Sequence, residues 1–101
     1  MINAKIIKNN DVIVTILVEG HSNYSVKGSD IVCSAVSACL IGGLNAIKNV
    51  KNYKINIKDG YTKIDLIGEI EEHDQIVLQT IFTQLLSIEA SYGDYLKITI
   101  E

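Results

Sequence analysis

Strand-like and helix-like hydrophobic patterns succeed one another along this chain in an order that outlines its fold. Ile2, Ala4 and Ile6 alternate with other residues, Asn9-Asn10-Asp11 is turn-prone, and Val12-Ile13-Val14-Thr15-Ile16-Leu17-Val18 follows as a β-branched run apolar on both faces. The pair predicts a β-hairpin whose second strand is central to a sheet and ends at Glu19-Gly20. After a mostly polar stretch, Gly28-Ser29-Asp30 offers a hinge and two capping residues, so a helix is expected to start at Ser29 or Asp30. Ala35, Val36, Cys39, Leu40, Leu44 and Ile47 recur at helical spacing and carry that helix to about Asn49. Gly42-Gly43, in its second half, either permits close packing or loosens it.

The second half repeats the theme. Tyr53 to Lys58 alternates strictly, Asp59-Gly60 is a strong hairpin-turn signal, and Tyr61 to Ile67 returns with the same period. Glu71-Glu72-His73-Asp74 places acidic residues where a helix start favours them, and Val77, Ile81, Leu85 and Ile88 run down one face of a helix that ends before Gly93. Tyr95 to Ile100 closes the chain as another strand. The predicted order is ββαββαβ, a single α+β domain over residues 1–101 with a mostly antiparallel sheet and two helices packed on one face. Phe82 and Leu86 form a second apolar stripe on the last helix, which serves either a homodimer interface or a wider core contact.

Length and charge narrow the function. A chain of 101 residues builds one two-layer core but not separate substrate and cofactor domains, so a deep site must lie in a surface groove or between subunits. The net charge of −3, with lysine as every basic residue, argues against nucleic-acid binding as the main role. No apolar run has the length of a membrane span and no signal-peptide pattern opens the chain, so a cytoplasmic protein is expected. Cys33 and Cys39 stand six residues apart on one helix, about 9 Å along its axis, beyond the reach of a disulfide. Two histidines and two cysteines without C-x-x-C or H-x-x-x-H spacing predict no metal site.

The candidate chemistry lies between Gly20 and Ser37. His21 follows a buried strand, Cys33 falls in the first turn of the next helix, and a strand end and the following helix start share one rim of such a fold. The partial positive charge of a helix start favours a thiolate, and a nearby imidazole can take its proton, so the pair is a candidate nucleophile and base. Free N–H groups of the same helix start are candidate donors to an oxyanion. Asp30 reads as the N-cap; it can also orient His21 or hold the loop, but a carboxylate so close to Cys33 opposes the helix effect. Ser37, one turn after Cys33, either meets substrate or bonds a backbone carbonyl, the latter being the commoner fate of a helical serine. Cys39 is rotated by about 240° from Cys33 and is expected in the core, and His73 on the solvated surface. Two other classes compete with an enzyme: a non-catalytic dimeric interaction module, and a redox-sensing thiol domain.

Gly20-His21, a small-residue loop, and then Gly28-x-Asp30-Ile31-Val32-Cys33-x-Ala35-Val36-Ser37 resemble the signature of the ribosomal-processing cysteine proteases, the Prp family. The chain is similar to that family in length and order of elements as well. Ser34 stands where many relatives have alanine, and Cys39 where a larger aliphatic is common. The resemblance implies a cytoplasmic, homodimeric endopeptidase without a cofactor. Its substrate would be the N-terminal extension of one large-subunit ribosomal protein, number twenty-seven of that series, cut after paired aromatic residues and before a small one. It makes Cys33 the nucleophile and His21 the general base, with Asp30, Ser37 and Gly20 at supporting positions. With no substrate bound, residues 22–29 are expected to be mobile or to cover the thiol. The non-catalytic alternative retains a place in ribosome assembly.

Overall fold

A computed structural model describes all 101 residues. The elements run β1 (Ile2–Asn9), β2 (Val12–Glu19), α1 (Ile31–Leu44), a 3₁₀ turn (Val50–Asn52), β3 (Tyr53–Lys58), β4 (Tyr61–Leu66), α2 (Glu72–Tyr92) and β5 (Leu96–Ile100). The order ββαββαβ is the one the hydrophobic pattern predicts. The five strands form one sheet in the order β3-β4-β2-β1-β5, antiparallel throughout except where β5 lies parallel to β1.

Side chains on one face of the sheet and the inner faces of both helices make one core, centred on Ile6, Ile13, Ile16, Ile64, Leu78, Ile81 and Leu85. The central strand β2 needs an irregularity to join it. Ile7 pairs with Thr15 while Lys8 pairs with Ile13, so Val14 is an extra residue opposite β1. That bulge shifts the alternation by one, so Ile13 and Ile16, three apart in sequence, are both fully buried.

The two helices depart from their sequence patterns for identifiable reasons. α1 begins where expected, with Asp30 as N-cap, but stops at Leu44 rather than near Asn49. Past Gly42-Gly43 the chain tightens, with Ala46 and Ile47 N–H groups bonding the Gly43 and Leu44 carbonyls. The buried Asp74 of α2 then accepts the Lys48 and Asn49 N–H groups at 2.9 and 3.1 Å, which turns the chain while Ile47 enters the core. Gly43 is required there, because a Cβ would lie 2.4 Å from Cγ1 of Ile81. On α2 the buried face is Leu78, Ile81, Phe82 and Leu85, with Val77 and Ile88 at its half-buried flanks. Phe82 is therefore core rather than dimer surface, and Lys8 lies over its ring at 5.1 Å. Leu86 alone of that stripe stays exposed. No helix is long and apolar enough to cross a membrane.

Candidate active site

The β2 strand delivers His21 to the rim of the sheet through Gly20, which has φ +102° and no room for a side chain: a Cβ would sit 2.5 Å from the Met1 carbonyl oxygen. The Gly20 N–H donates to the carbonyl of Gly60 at 2.9 Å, tying the end of β2 to the β3–β4 turn. Gly60 itself has φ +67°, and a Cβ on it would lie 2.6 Å from Nε2 of His21. The bare backbone of that turn is thus the surface on which the imidazole rests. This contact was not legible from the pattern, although Asp59-Gly60 marked the turn.

Across from it, the first turn of α1 presents Cys33. His21, Cys33, Ser37 and Gly60 line one cavity of about 390 Å³, whose apolar wall includes Val36, Leu40, Ile41 and Ile57. The histidine and the cysteine predicted to work together therefore share a cavity. They are not hydrogen-bonded to each other. The thiol instead meets Ser22: Sγ lies 3.4 Å from Ser22 Oγ, to which it donates, and accepts the Ser22 N–H at 3.4 Å. Sequence reasoning passed over Ser22, whose only signal is its position next to His21.

Asp30 organises the loop. Its Oδ1 accepts the N–H groups of Val32 at 3.1 Å and Cys33 at 3.0 Å, and its Oδ2 accepts Ser22 Oγ–H and the N–H groups of Tyr24 at 3.1 Å and Ser25 at 3.3 Å. Burial alone would push this carboxyl up, but the bonds from Ser22 and from the Cys33, Ser25 and Tyr24 amides outweigh it and lower its pKa to about 2. Asp30 is thus both N-cap and loop anchor, and it does not touch His21. Its bonds also correct one expectation: the Val32 and Cys33 N–H groups, foreseen as oxyanion donors, are already taken by the cap, and the Ser34 N–H bonds the Asp30 carbonyl. Of this loop only Ser22 bonds the thiol, and Tyr24 packs edge-on against Tyr95 and Tyr92 with centroids 5.0 and 5.7 Å apart.

The remaining candidates fall outside this arrangement or at its wall. Ser37 is exposed to the cavity and donates to no backbone carbonyl, unlike Thr80 and Ser87 of α2, which bond the Ile76 and Thr83 carbonyls. The commoner fate of a helical serine is therefore not its fate here. Cys39 is half-buried in the groove between α1 and α2 rather than fully in the core, and burial pushes its thiol up. Both cysteines are free. His73 is exposed and bonds Asp74 through Nδ1 at 2.9 Å.

Residues 1–97 match the family model described as cysteine protease Prp. The chain belongs to the Prp family of cysteine proteases. Over 103 residues it is 32% identical to the ribosomal processing cysteine protease Prp of Staphylococcus aureus, covering 97% of each chain. The Bacillus subtilis protein of the same name is 29% identical over 108 residues, covering 98% of this chain and 96% of its own. Among solved structures, S. aureus Prp in complex with a covalently linked product peptide superimposes with a TM-score of 0.91 at 28% identity, and its complex with a substrate peptide with 0.84, each over the full length of both chains. The chain is accordingly a cysteine protease, and the Prp fold accounts for all of its elements.

Proposed function

We propose that this protein is the endopeptidase that removes the N-terminal extension of large-subunit ribosomal protein number twenty-seven, with Cys33 as nucleophile and His21 as general base. The observation that carries the proposal is the shared cavity: a first-turn cysteine and a strand-end histidine open onto one groove with an apolar wall, in a family whose S. aureus member has been solved with a covalently linked product peptide. The sequence of steps follows from the residues. His21 takes the Cys33 proton, and the thiolate attacks the scissile carbonyl. His21 then protonates the leaving amine, and water hydrolyses the thioester. Because Cys33 is paired with Ser22 in the resting arrangement, the dyad forms by exchange of that partner for the imidazole. The wall of Val36, Leu40, Ile41 and Ile57 is suited to the aromatic residues expected before the cut. Gly20 and Asp30 support the site through backbone and loop, and Ser37, with its hydroxyl uncommitted, is available to substrate.

The same family relation suggests a cytoplasmic homodimer that works without a cofactor. With Phe82 in the core, the apolar surface for a second copy includes the exposed Ile76 and Leu86 of α2. Incubating the purified protein with the extended ribosomal protein and weighing the products tests the proposal. A single new N-terminus after an aromatic pair supports it; an intact substrate, or cleavage that persists in Cys33→Ala, refutes it.

A further inference from the structure

Ser22 has a role that the protease chemistry does not assign. It is 2% exposed and bridges two groups of opposite character, the Cys33 thiol and the Asp30 carboxylate. A hydroxyl has one proton, and here it goes to Asp30 Oδ2 in a short bond. What Ser22 Oγ turns towards Sγ, at 3.4 Å, is therefore a lone pair. A lone pair accepts S–H and repels S⁻, so the chain Cys33 S–H, Ser22 O–H, Asp30 carboxylate is complete only while the cysteine keeps its proton. Asp30 cannot release the hydroxyl by taking up a proton at neutral pH, because four backbone N–H groups besides Ser22 hold it ionised.

We propose that Ser22 is a positioning residue that locks Cys33 as a thiol and turns it away from its base until substrate binding displaces the loop. The proposal rests on Cys33 being the nucleophile. It assigns to the first residue after the general base a restraining role in the resting enzyme, acting through Cys33 rather than on substrate. Opposed to the lock is the Ser22 N–H, which points at Sγ and favours the thiolate. That donor belongs to the backbone and survives any substitution at this position, so removing the hydroxyl alone has a definite sign.

The test is the rate at which iodoacetamide, a neutral reagent, alkylates Cys33 in the full-length protein without substrate, followed by peptide mass mapping to separate it from Cys39. In Ser22→Ala the rate at pH 7 rises several-fold, up to about tenfold if the thiol–thiolate balance moves by one pH unit, and the rate-against-pH profile moves to the acid side. Ser22→Thr, which keeps the hydroxyl, stays close to the wild-type profile. The other charged or titratable groups on this cavity, His21, Lys27, Lys58, Asp59 and Tyr61, are common to all variants, so they do not produce the difference. An unchanged or slower alkylation of Ser22→Ala overturns the proposal, a slower rate meaning that Ser22 donates to the thiolate instead. Should Ser22→Ala fail to fold, Ser22→Gly carries the same expectation. Alkylation is read without any cleavage, so the lock can fail while the protease reading stands. Cleavage that survives complete alkylation of Cys33 would sink the protease reading by itself.

Discussion

The protein carries the same three residue types twice, and only one set lines a cavity suited to thiol chemistry. Cys33, His21 and Asp30 line one cavity at the start of α1; Cys39, His73 and Asp74 lie along the groove between α1 and α2 or beside it. Cys33 stands in the first helical turn, its thiol accepts the Ser22 N–H, and it faces a cavity shared with a histidine. Cys39 stands in mid-helix, where the backbone donors are engaged within the helix, and burial pushes its thiol up. The two aspartates use the same device, a buried carboxylate collecting loop N–H groups, but Asp30 fastens the loop that follows His21 whereas Asp74 fastens the turn after α1. Residue types therefore do not make a site; the donors and dipoles the backbone places around them do.

The sharpest way to break this comparison is to remove each thiol in turn. Cys33→Ala should lower cleavage of an aromatic-containing peptide to background, a loss on the order of 10⁴-fold or more, while Cys39→Ala should leave it unchanged. Equal losses from the two variants, followed by peptide mass spectrometry, would show that the groove contributes to catalysis after all.

Two glycines extend the contrast with a smaller effect. At Gly60 a methyl group must displace the imidazole, since it would lie 2.6 Å from Nε2 of His21, and φ +67° adds about 1 kcal/mol of backbone strain. Gly60→Ala should therefore fold, with kcat/KM lower by about 100-fold through misplacement of the base. Gly43→Ala pushes instead on the fully buried Ile81, so it should cost about 1–3 kcal/mol in urea unfolding and leave kcat/KM of the folded enzyme near wild type. Exchange of these two signatures, activity lost at Gly43 and stability alone at Gly60, would reverse the assignment of the two regions.

The contrast also explains what could be read in advance. Alternation and helical spacing are local, so both hairpins, both helices and the Asp30 cap were legible, as was the common rim that lets His21 and Cys33 line one cavity. The end of α1 was not legible: the residues after Leu44 keep a helical spacing, and the chain leaves it because a carboxylate 26 residues away takes the Lys48 N–H. The phase of β2 was hidden for a related reason, since a bulge at Val14 exists only in relation to β1. At the site, the rest of Gly60 against His21 and the pairing of Ser22 with Cys33 are tertiary contacts at 39 and 11 residues' separation, with no periodicity to announce them.

The smallest expected effect concerns acid, and it separates the two aspartates by where stability is lost. Both carboxyls are pushed up by burial and pulled further down by the bonds they accept, Asp30 to about 2 and Asp74 below its usual value through Lys48, His73 and Asn49. An unfolded aspartate takes up its proton near 3.8, before the folded one does, so the unfolded state gains protons first as pH falls. The stability these groups supply is therefore complete above about pH 4 and is withdrawn towards pH 2. Urea unfolding across that range should show the decline, and Asp74→Asn should make it shallower, at a cost near neutral pH of about 1–3 kcal/mol for the N–H group left without an acceptor. Asp30 has a second, local signature. Its protonation releases the amides of Tyr24 and Ser25, so their hydrogen exchange should lose protection as pH falls through about 2, where the folded carboxyl takes up its proton, while the β1 and β2 amides remain protected. Protection at Tyr24 and Ser25 that falls only together with that of the sheet would mean that the loop is held by something other than Asp30. The Tyr24 packing on Tyr92 and Tyr95 would then be the first restraint to remove.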